Sequence, residues 1–136
     1  LEMVGRWSDL SAVYDDVVAA INAVPGTLAG SAHQSHAYVD GACLYFSLRG
    51  DVPVEQRAAW YRAAWDAANA VLIKHKTSLS HHHGVGLLRS PYMQASLGES
   101  LSVLADIKKA LDPQNILNPG KLGLSAQLYA HQAGQS

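Results

Sequence analysis

Apolar residues near the start of the chain recur at intervals of three and four, which is the period of a helix with one buried face. The stripe follows Ser8 and Asp9, whose side-chain oxygens can cap the free amides of a first turn. Pro25 and Gly26 end it. The apolar positions are Leu10, Val13, Val17, Ile21 and Val24. The pattern predicts a helix over residues 8–24.

The stretch that follows alternates with a period of two residues, which indicates strands. Over residues 41–48 one face is aliphatic and the other carries Tyr45; the aliphatic positions are Ala42, Leu44, Phe46 and Leu48. Residues 27–35 are small and polar without a helical period, and residues 36–41 are typical of a hairpin connection. We therefore predict two antiparallel strands. Because two strands alone are marginal in water, the sheet needs further strands or a partner surface.

Two more helical stripes follow, one over residues 53–76 and one over residues 90–111, where Gly98 can divide the helix in two. The first stripe is Val54, Ala58, Tyr61, Trp65, Ala68 and Leu72, and the second is Leu97, Leu101, Leu104, Ile107 and Leu111. The predicted fold class is α+β, an antiparallel sheet with flanking helices and a C-terminal helical segment. We predict one domain portion over residues 1–125 and a flexible, glutamine-rich tail over residues 126–136.

Charge and composition exclude several classes of protein. Lys and Arg number 10 against 11 Asp and Glu, so no nucleic-acid partner is expected. No apolar run approaches the roughly 20 residues that cross a bilayer. The single cysteine, Cys43, excludes an internal disulfide and a cysteine-based zinc site, and it favours a reducing cytoplasm as the location. The 136 residues begin at Leu1, which favours a piece of a longer protein.

The sharpest chemical signal is a run of three histidines, His81, His82 and His83, followed by Gly-Val-Gly. Imidazoles accept and donate protons near neutral pH, so function is expected here. The alternatives are a surface loop without a role, a purification tag, and a metal site that includes His33 and His36. The metal site is disfavoured because no Asp or Glu lies beside the run in the sequence to orient the rings.

Two further residues are candidates for chemistry. Tyr45 lies on the strand face opposite Leu44 and Phe46, where packing of the core does not require an aromatic ring. Its alternative is a half-buried strand tyrosine that packs on a neighbour. Arg89 can contact a substrate phosphate, although a lone arginine before a helix is more often a solvated charge.

Three segments, in the same order, resemble the C-terminal part of the FAD-linked oxidases of the vanillyl-alcohol oxidase superfamily. They are GACLYF over residues 41–46, SLSHHHGVG over residues 78–86 and LDPQNILNPGK over residues 111–121. Within the superfamily the resemblance is closest to the alkyldihydroxyacetonephosphate synthases. The resemblance covers about residues 8–124. The last segment is shared widely among the FAD-linked oxidases, whereas the first two segments are more specific.

The resemblance implies a two-part flavoprotein that uses FAD. This chain would be its cap and substrate portion, with a ferredoxin-like antiparallel sheet, and the FAD-binding domain would belong to the same full-length protein. The implied reaction exchanges the acyl group of acyl-dihydroxyacetone phosphate for an alkyl group through a flavin N5 adduct, with a small-molecule or lipid-like substrate. The isolated chain is then expected to be inactive, and homo-oligomerisation stays open.

The resemblance also implies roles for single residues. Tyr45 and His82 are expected to move protons, and Arg89 to bind substrate. The residues expected to contact the cofactor are His81, His83 and Asn118. Two alternatives stay open: an FAD-dependent dehydrogenase or oxidase of a 2-hydroxy acid or alcohol, in which a His or Tyr takes the hydroxyl proton, and a non-catalytic binding or interaction domain.

The chain departs from the synthase pattern at three places, one of which is the ending LDPQNILNPGK, which follows the pattern of the oxidases. Lys76 and Thr77 stand where the family often has a glycine pair, and Leu87 stands where the synthases commonly have lysine. These differences leave the substrate open.

Overall fold

A computed structural model describes residues 1–124 of the chain. They divide into a first unit, Leu1–His83, and a second unit that begins at Gly84. Among the described residues, no helix is both long enough and apolar enough to cross a bilayer. The tail predicted over residues 126–136 lies outside the described residues.

The first unit contains an antiparallel sheet with the strand order β1-β3-β2, which confirms the α+β prediction. Its strands are β1 (Glu2–Arg6), β2 (Thr27–Ala37) and β3 (Gly41–Gly50). Strand β1 was not predicted, because five residues that include a glycine carry too short a pattern to mark a strand. It supplies the third strand that the predicted pair lacked.

Two helices of the first unit pack on each other and contact the sheet: α1 (Leu10–Asn22) and α2 (Arg57–Lys74). The predicted stripe of α1 is confirmed as its buried face at Leu10, Val13, Val17 and Ile21. The predicted cap is wrong. Among the described residues no side-chain hydrogen bond caps α1, and the Ser8 hydroxyl instead donates to Asp9 Oδ1 at 2.8 Å.

The buried face of α2 differs from the predicted stripe. A short 3-10 turn, Val54–Gln56, precedes the helix, and the side chains of Val54 and Tyr61 are exposed. The buried residues are Ala64, Trp65, Ala68, Asn69 and Leu72. Trp65, Ala68 and Leu72 of the predicted stripe are therefore confirmed as buried, whereas its first half, Val54, Ala58 and Tyr61, is exposed.

Strand β3 has the two faces that its alternation predicts, with Phe46 and Leu44 buried on one side and Tyr45 on the other. Tyr45 lies between Glu2 of β1 and His33 of β2, and Cys43 pairs with His36. Residues three apart in a regular strand face opposite sides. A bulge between Gln34 and His36 removes this alternation, so His33 and His36 share the face of Tyr45.

The second unit is mostly helical over residues 86–111, and its described residues 112–124 form turns and bends. Its helices are α3 (Gly86–Arg89), α4 (Met93–Leu97) and α5 (Ser100–Leu111). Gly98 separates α4 from α5 with a φ of 53°, so the predicted division is confirmed. The buried cluster of this unit is Met93, Leu101, Ala105 and Leu124.

The predicted stripe of α5 is buried only in part. Leu101 is buried, but Leu104, Ile107 and Leu111 are exposed. The helix buries Ala105, one turn after Leu101, in place of Leu104. Pattern alone could not decide this rotation, because it depends on where α4 and Leu124 lie.

The segment after α5 is held by a buried carboxylate, Asp112. Its side chain accepts the backbone N–H of Ile116 and of Leu117 at 3.0 and 2.9 Å, and it pairs with Lys108. The hydrogen bond from Lys108, with those from the two backbone amides, holds the pKa of Asp112 below its usual value despite burial. Asp112 of the LDPQNIL segment therefore has a structural role, because its side chain holds the backbone of Ile116 and Leu117.

We expect Leu72→Ala to lower the free energy of unfolding of the first unit by about 2–5 kcal/mol, because it opens a cavity at a side chain with no exposed surface. Leu28→Ala makes the same change at an exposed position of this unit and should cost less than about 0.5 kcal/mol. Urea denaturation followed by circular dichroism measures both. Equal losses would contradict the assigned core.

Candidate functional site

The histidine run lies against one end of the sheet in the first unit. Val4 and Ser78 exchange backbone hydrogen bonds of 3.3 and 3.1 Å, which fixes the segment after α2 along the outer edge of β1. From there the chain turns across the face that carries Tyr45. Three strands and this segment together form a cluster of side chains that we call the imidazole cluster: Glu2, His33, His36, Tyr38, Tyr45 and His81–His83.

A buried carboxylate lies at the base of the imidazole cluster. Glu2 has no exposed surface. Its Oε1 accepts the backbone N–H of His81, His82 and His83 at 2.9, 3.2 and 3.1 Å, and the Ser80 hydroxyl at 2.9 Å. Successive N–H groups that point at one anion form a concave anion site. The chain therefore wraps the histidine run around a carboxylate of its own.

The expectation that no carboxylate accompanies the histidines is wrong. Glu2 is 79 positions from His81 in the sequence, and strand pairing brings the two together. The only signal for Glu2 in the sequence is a charged residue among apolar ones at the start of the chain. The pattern does not distinguish such a residue from a solvated side chain.

Burial opposes ionisation of Glu2, but its hydrogen bonds outweigh burial. The N–H groups of His81 and His83, the Ser80 hydroxyl and the nearby His83 ring together lower the pKa of Glu2 from 4.5 to about 2. Glu2 is therefore a carboxylate at neutral pH, and it accepts hydrogen bonds without donating any.

The second oxygen of Glu2 faces two imidazoles. Oε2 lies 3.2 Å from Nδ1 of His82 and 3.2 Å from Nδ1 of His83. The side chains of these histidines are 45% and 44% exposed, in contrast to the carboxylate beneath them. His81 continues the network, with its Nδ1 2.9 Å from Nδ1 of His82.

Two phenols contact the histidine run at its two ends. Tyr45 Oη lies 2.9 Å from Nε2 and 3.2 Å from Nδ1 of His83, and Tyr38 Oη lies 2.5 Å from Nε2 of His81. The ring centroids of Tyr45 and His82 are 6.2 Å apart. The structure thus gives Tyr45 a hydrogen-bond partner in His83, while the proton-moving role of His82 stays a prediction. Tyr38, in the hairpin connection, was missed.

The two histidines of β2 flank the imidazole cluster. The His33 ring stacks on Tyr45 with centroids 5.5 Å apart, and the His36 ring lies 4.7 Å from that of His81. Tyr45 therefore does pack on a neighbour, as its alternative reading required, and it also makes a polar contact with its hydroxyl.

Within residues 1–124, two sets of three side chains have ligand atoms close enough to hold a metal ion. They are His36, Cys43 and His81, and Glu2, His81 and His82, with ligand atoms within 4.8 Å of one another in each set. Burial and the charge of Glu2 raise the pKa of the Cys43 thiol, so an ion in the first set would have to displace its proton.

Two predicted site residues lie in the second unit. Arg89 is buried and its Nη1 donates to the Gly84 carbonyl at 3.2 Å, so the alternative of a solvated charge is wrong. Asn118 is exposed in the segment after α5, with a φ of 47°. The substrate contact of Arg89 and the cofactor contact of Asn118 stay predictions.

The fold and the imidazole cluster define an α+β chain portion in which a sheet presents ionisable rings on an open face. Comparison with known families agrees, since the family of FAD linked oxidases, C-terminal domain, matches residues 2–122. The chain belongs to this family. Membership implies FAD as the cofactor.

Similar proteins include two alkyldihydroxyacetonephosphate synthases. The chain is 34% identical over 131 residues to that of Trypanosoma brucei brucei, covering 85% of this chain and 21% of the relative. It is 37% identical over 92 residues to that of Dictyostelium discoideum, covering 67% and 15%.

The chain is also similar to a D-2-hydroxyglutarate dehydrogenase of Xanthomonas citri pv. viticola. The identity is 32% over 122 residues, covering 79% of this chain and 26% of the relative. The chain therefore spans about a fifth of the length of the curated relatives it matches.

We expect Glu2 to stabilise the first unit above pH 4.5 and to lose this effect as the pH falls toward 2, because its pKa is lower in the folded state. The lowering from 4.5 to about 2 corresponds to roughly 3 kcal/mol. Urea denaturation of wild-type chain and Glu2→Gln between about pH 6 and pH 2 measures this. The difference between them should shrink with falling pH.

Glu55→Gln is the matched control for this experiment, because Glu55 is exposed in the same unit. Its difference from wild type should stay flat across the range. A pH-independent difference for Glu2→Gln would show that the carboxylate charge does not stabilise the fold.

Proposed function

We propose that the imidazole cluster is the substrate side of a flavin site, and that Tyr45 and His83 there exchange a proton with the substrate. The observation that carries the proposal is the 2.9 Å contact between Tyr45 Oη and His83 Nε2, next to a buried carboxylate. A phenol, an imidazole and a carboxylate in sequence form an arrangement suited to general acid-base chemistry.

The residues of the imidazole cluster fit a planar, polar ring system. His82 and His83 expose almost half of their side chains, and their ring faces and nitrogen atoms can stack on or hydrogen-bond to such a group. We propose that His81, His82 and His83 hold the flavin ring. When bound, FAD would supply a nucleophilic ring nitrogen to an exchange reaction or an electron-accepting ring to a dehydrogenation.

We further propose that the reaction is the exchange of an acyl for an alkyl group on dihydroxyacetone phosphate. The two synthase relatives, 34% and 37% identical, support this assignment. An incoming alcohol must lose its proton to become an ether, and Tyr45 Oη with His83 Nε2 behind it can take that proton. The inactivity of the chain alone and its cytoplasmic location stay predictions.

A second candidate is dehydrogenation of a 2-hydroxy acid, favoured by the 32% identity to a D-2-hydroxyglutarate dehydrogenase. This reaction also requires removal of a hydroxyl proton, so Tyr45 and His83 would serve it in the same way. The two reactions differ in their electron balance: the exchange is redox-neutral overall, whereas dehydrogenation transfers two electrons to the cofactor.

We expect Tyr45→Phe and His83→Ala to lower turnover by roughly 10²–10⁴-fold in the protein that carries both this chain and the FAD-binding domain, because each removes one partner of the proton transfer. Tyr61→Phe, which removes a hydroxyl from an exposed tyrosine of α2, is the matched control and should retain activity. Unchanged turnover in Tyr45→Phe would refute acid-base work by this phenol.

The same protein separates the candidate reactions. Anaerobic bleaching of the flavin by a 2-hydroxy acid would favour the dehydrogenase, and incorporation of a labelled fatty alcohol without bleaching would favour the exchange reaction. A protein that binds no flavin would favour a non-catalytic binding domain.

A further inference from the structure

We propose that a polar cavity beside the imidazole cluster binds a small phosphate ester with free hydroxyl groups, and that Lys76 is a specificity-determining residue of this site. The cavity measures about 380 Å³, and all the residues that line it belong to the first unit. Its volume lies within the usual range for sites of small molecules. The inference does not rest on the proposed function, because neither flavin nor turnover enters it.

The first observation is the backbone of Lys76, which follows the end of α2 and has a φ of 55°. Its N–H donates to the Ile73 carbonyl at 2.9 Å. The next N–H, that of Thr77, donates to the Leu72 carbonyl at 3.1 Å. Helices that end in this way usually have glycine at the position of Lys76, because glycine adopts a positive φ without strain. A lysine there lowers the stability of the fold.

The charge of Lys76 is not needed to stabilise the end of α2. A cation near the C-terminus of a helix interacts favourably with the helix dipole, but Lys74 already supplies one in the last turn. The His75 ring adds a contact with Asp16 at 2.8 Å. A strained residue that the helix does not require indicates a function for its side chain.

The second observation is the set of charges around the cavity. Four exposed charged side chains line it: Arg6, Asp9, Asp40 and Lys76. Arg6 ends β1, Asp9 precedes α1, and Asp40 lies in the connection between β2 and β3. Within residues 1–124, none of the four is in an ion pair. Their charges are therefore available to a ligand.

The two signs of charge specify the class of ligand. Two cations match the double negative charge of a phosphate monoester, and the guanidinium of Arg6 can bind two of its oxygens at once. Carboxylates only accept hydrogen bonds, so Asp9 and Asp40 require donors, which hydroxyl groups of the same ligand supply. Inorganic phosphate has no alcohol hydroxyls and is repelled by both carboxylates. The cavity therefore fits a polyol phosphate better than an inorganic anion.

The cavity adjoins the imidazole cluster through Tyr38. This tyrosine lines the cavity, and its Oη lies 2.5 Å from Nε2 of His81. Neither Tyr45 nor the histidine run lines the cavity. The cavity is therefore a second site, next to the face that carries Tyr45.

The test is a nitrogen-15 NMR titration of the 136-residue chain with glycerol 3-phosphate as the probe. We expect saturable shifts of the backbone amides of Gly5, Gly41 and Thr77, which line the cavity. Glycerol and inorganic phosphate each carry one part of the probe, and each should bind at least about tenfold more weakly. Absence of saturable shifts at these amides would overturn the site. Equal affinity for glycerol 3-phosphate and inorganic phosphate would overturn the ligand class.

Lys76→Gly tests the role of the lysine. Loss of one charge-assisted hydrogen bond should weaken binding of glycerol 3-phosphate by about 10–100-fold. The same variant should unfold at a temperature about 2–5 °C higher than wild type, because glycine relieves the positive φ. A lysine with only a structural role would not lower stability while it raises affinity. Wild-type affinity in Lys76→Gly would contradict its role in the site.

Lys74→Gly is the matched control, because it removes a lysine of the same helix end that does not line the cavity. It should keep the wild-type affinity and unfold at a lower temperature, since glycine destabilises a helix. If Lys74→Gly weakens binding as much as Lys76→Gly does, net charge attracts the ligand and the proposal fails.

Asp40→Asn tests the acidic side of the cavity. Loss of the negative charge removes repulsion of phosphate, and an amide no longer requires a hydroxyl donor. We expect inorganic phosphate to bind more tightly to this variant than to wild type, so that the preference for glycerol 3-phosphate falls below about tenfold. An unchanged preference would show that Asp40 does not recognise the hydroxyl groups, against the proposed ligand class.

Discussion

The path of the histidine run in the first unit depends on Glu2, a carboxylate with no exposed surface. Burial of a carboxylate is costly unless hydrogen bonds compensate for it. At Glu2 three successive backbone amides and a hydroxyl do so, and this requirement forces residues 80–83 to curve around the end of β1. The positions of the His81, His82 and His83 rings follow from that curvature, since the backbones of these histidines are themselves the donors.

The sheet supplies the rigid part of the site. Tyr45 projects from the middle strand, between Glu2 and His33, so its neighbours on both sides are fixed by strand pairing. The bulge before His36 adds a second imidazole to the same face. Functional side chains on strands are held more precisely than those on loops, and here only the histidine run and Tyr38 lie outside the strands.

The second unit also contains a buried carboxylate that accepts backbone amides, but its charge has a different partner. Asp112, like Glu2, is a buried carboxylate that accepts backbone amides of a following or distant loop, and its charge is paired with Lys108. Glu2 faces imidazoles instead of an ammonium group. Asp112 therefore stabilises a turn. The charge of Glu2, in contrast, lies next to imidazoles, which can exchange protons.

The sequence by itself determined the features that depend on neighbouring residues: the buried stripe of α1, the face of β3 that carries Tyr45 and the break at Gly98. Tertiary structure decided which distant groups meet, because those contacts depend on strand pairing and on which element covers which face. Glu2 lies 79 positions from its partner His81, and no local pattern links the two. Periodicity also located α2 and α5 but only part of their buried sides, since the rotation of a helix depends on the neighbours that pack against it.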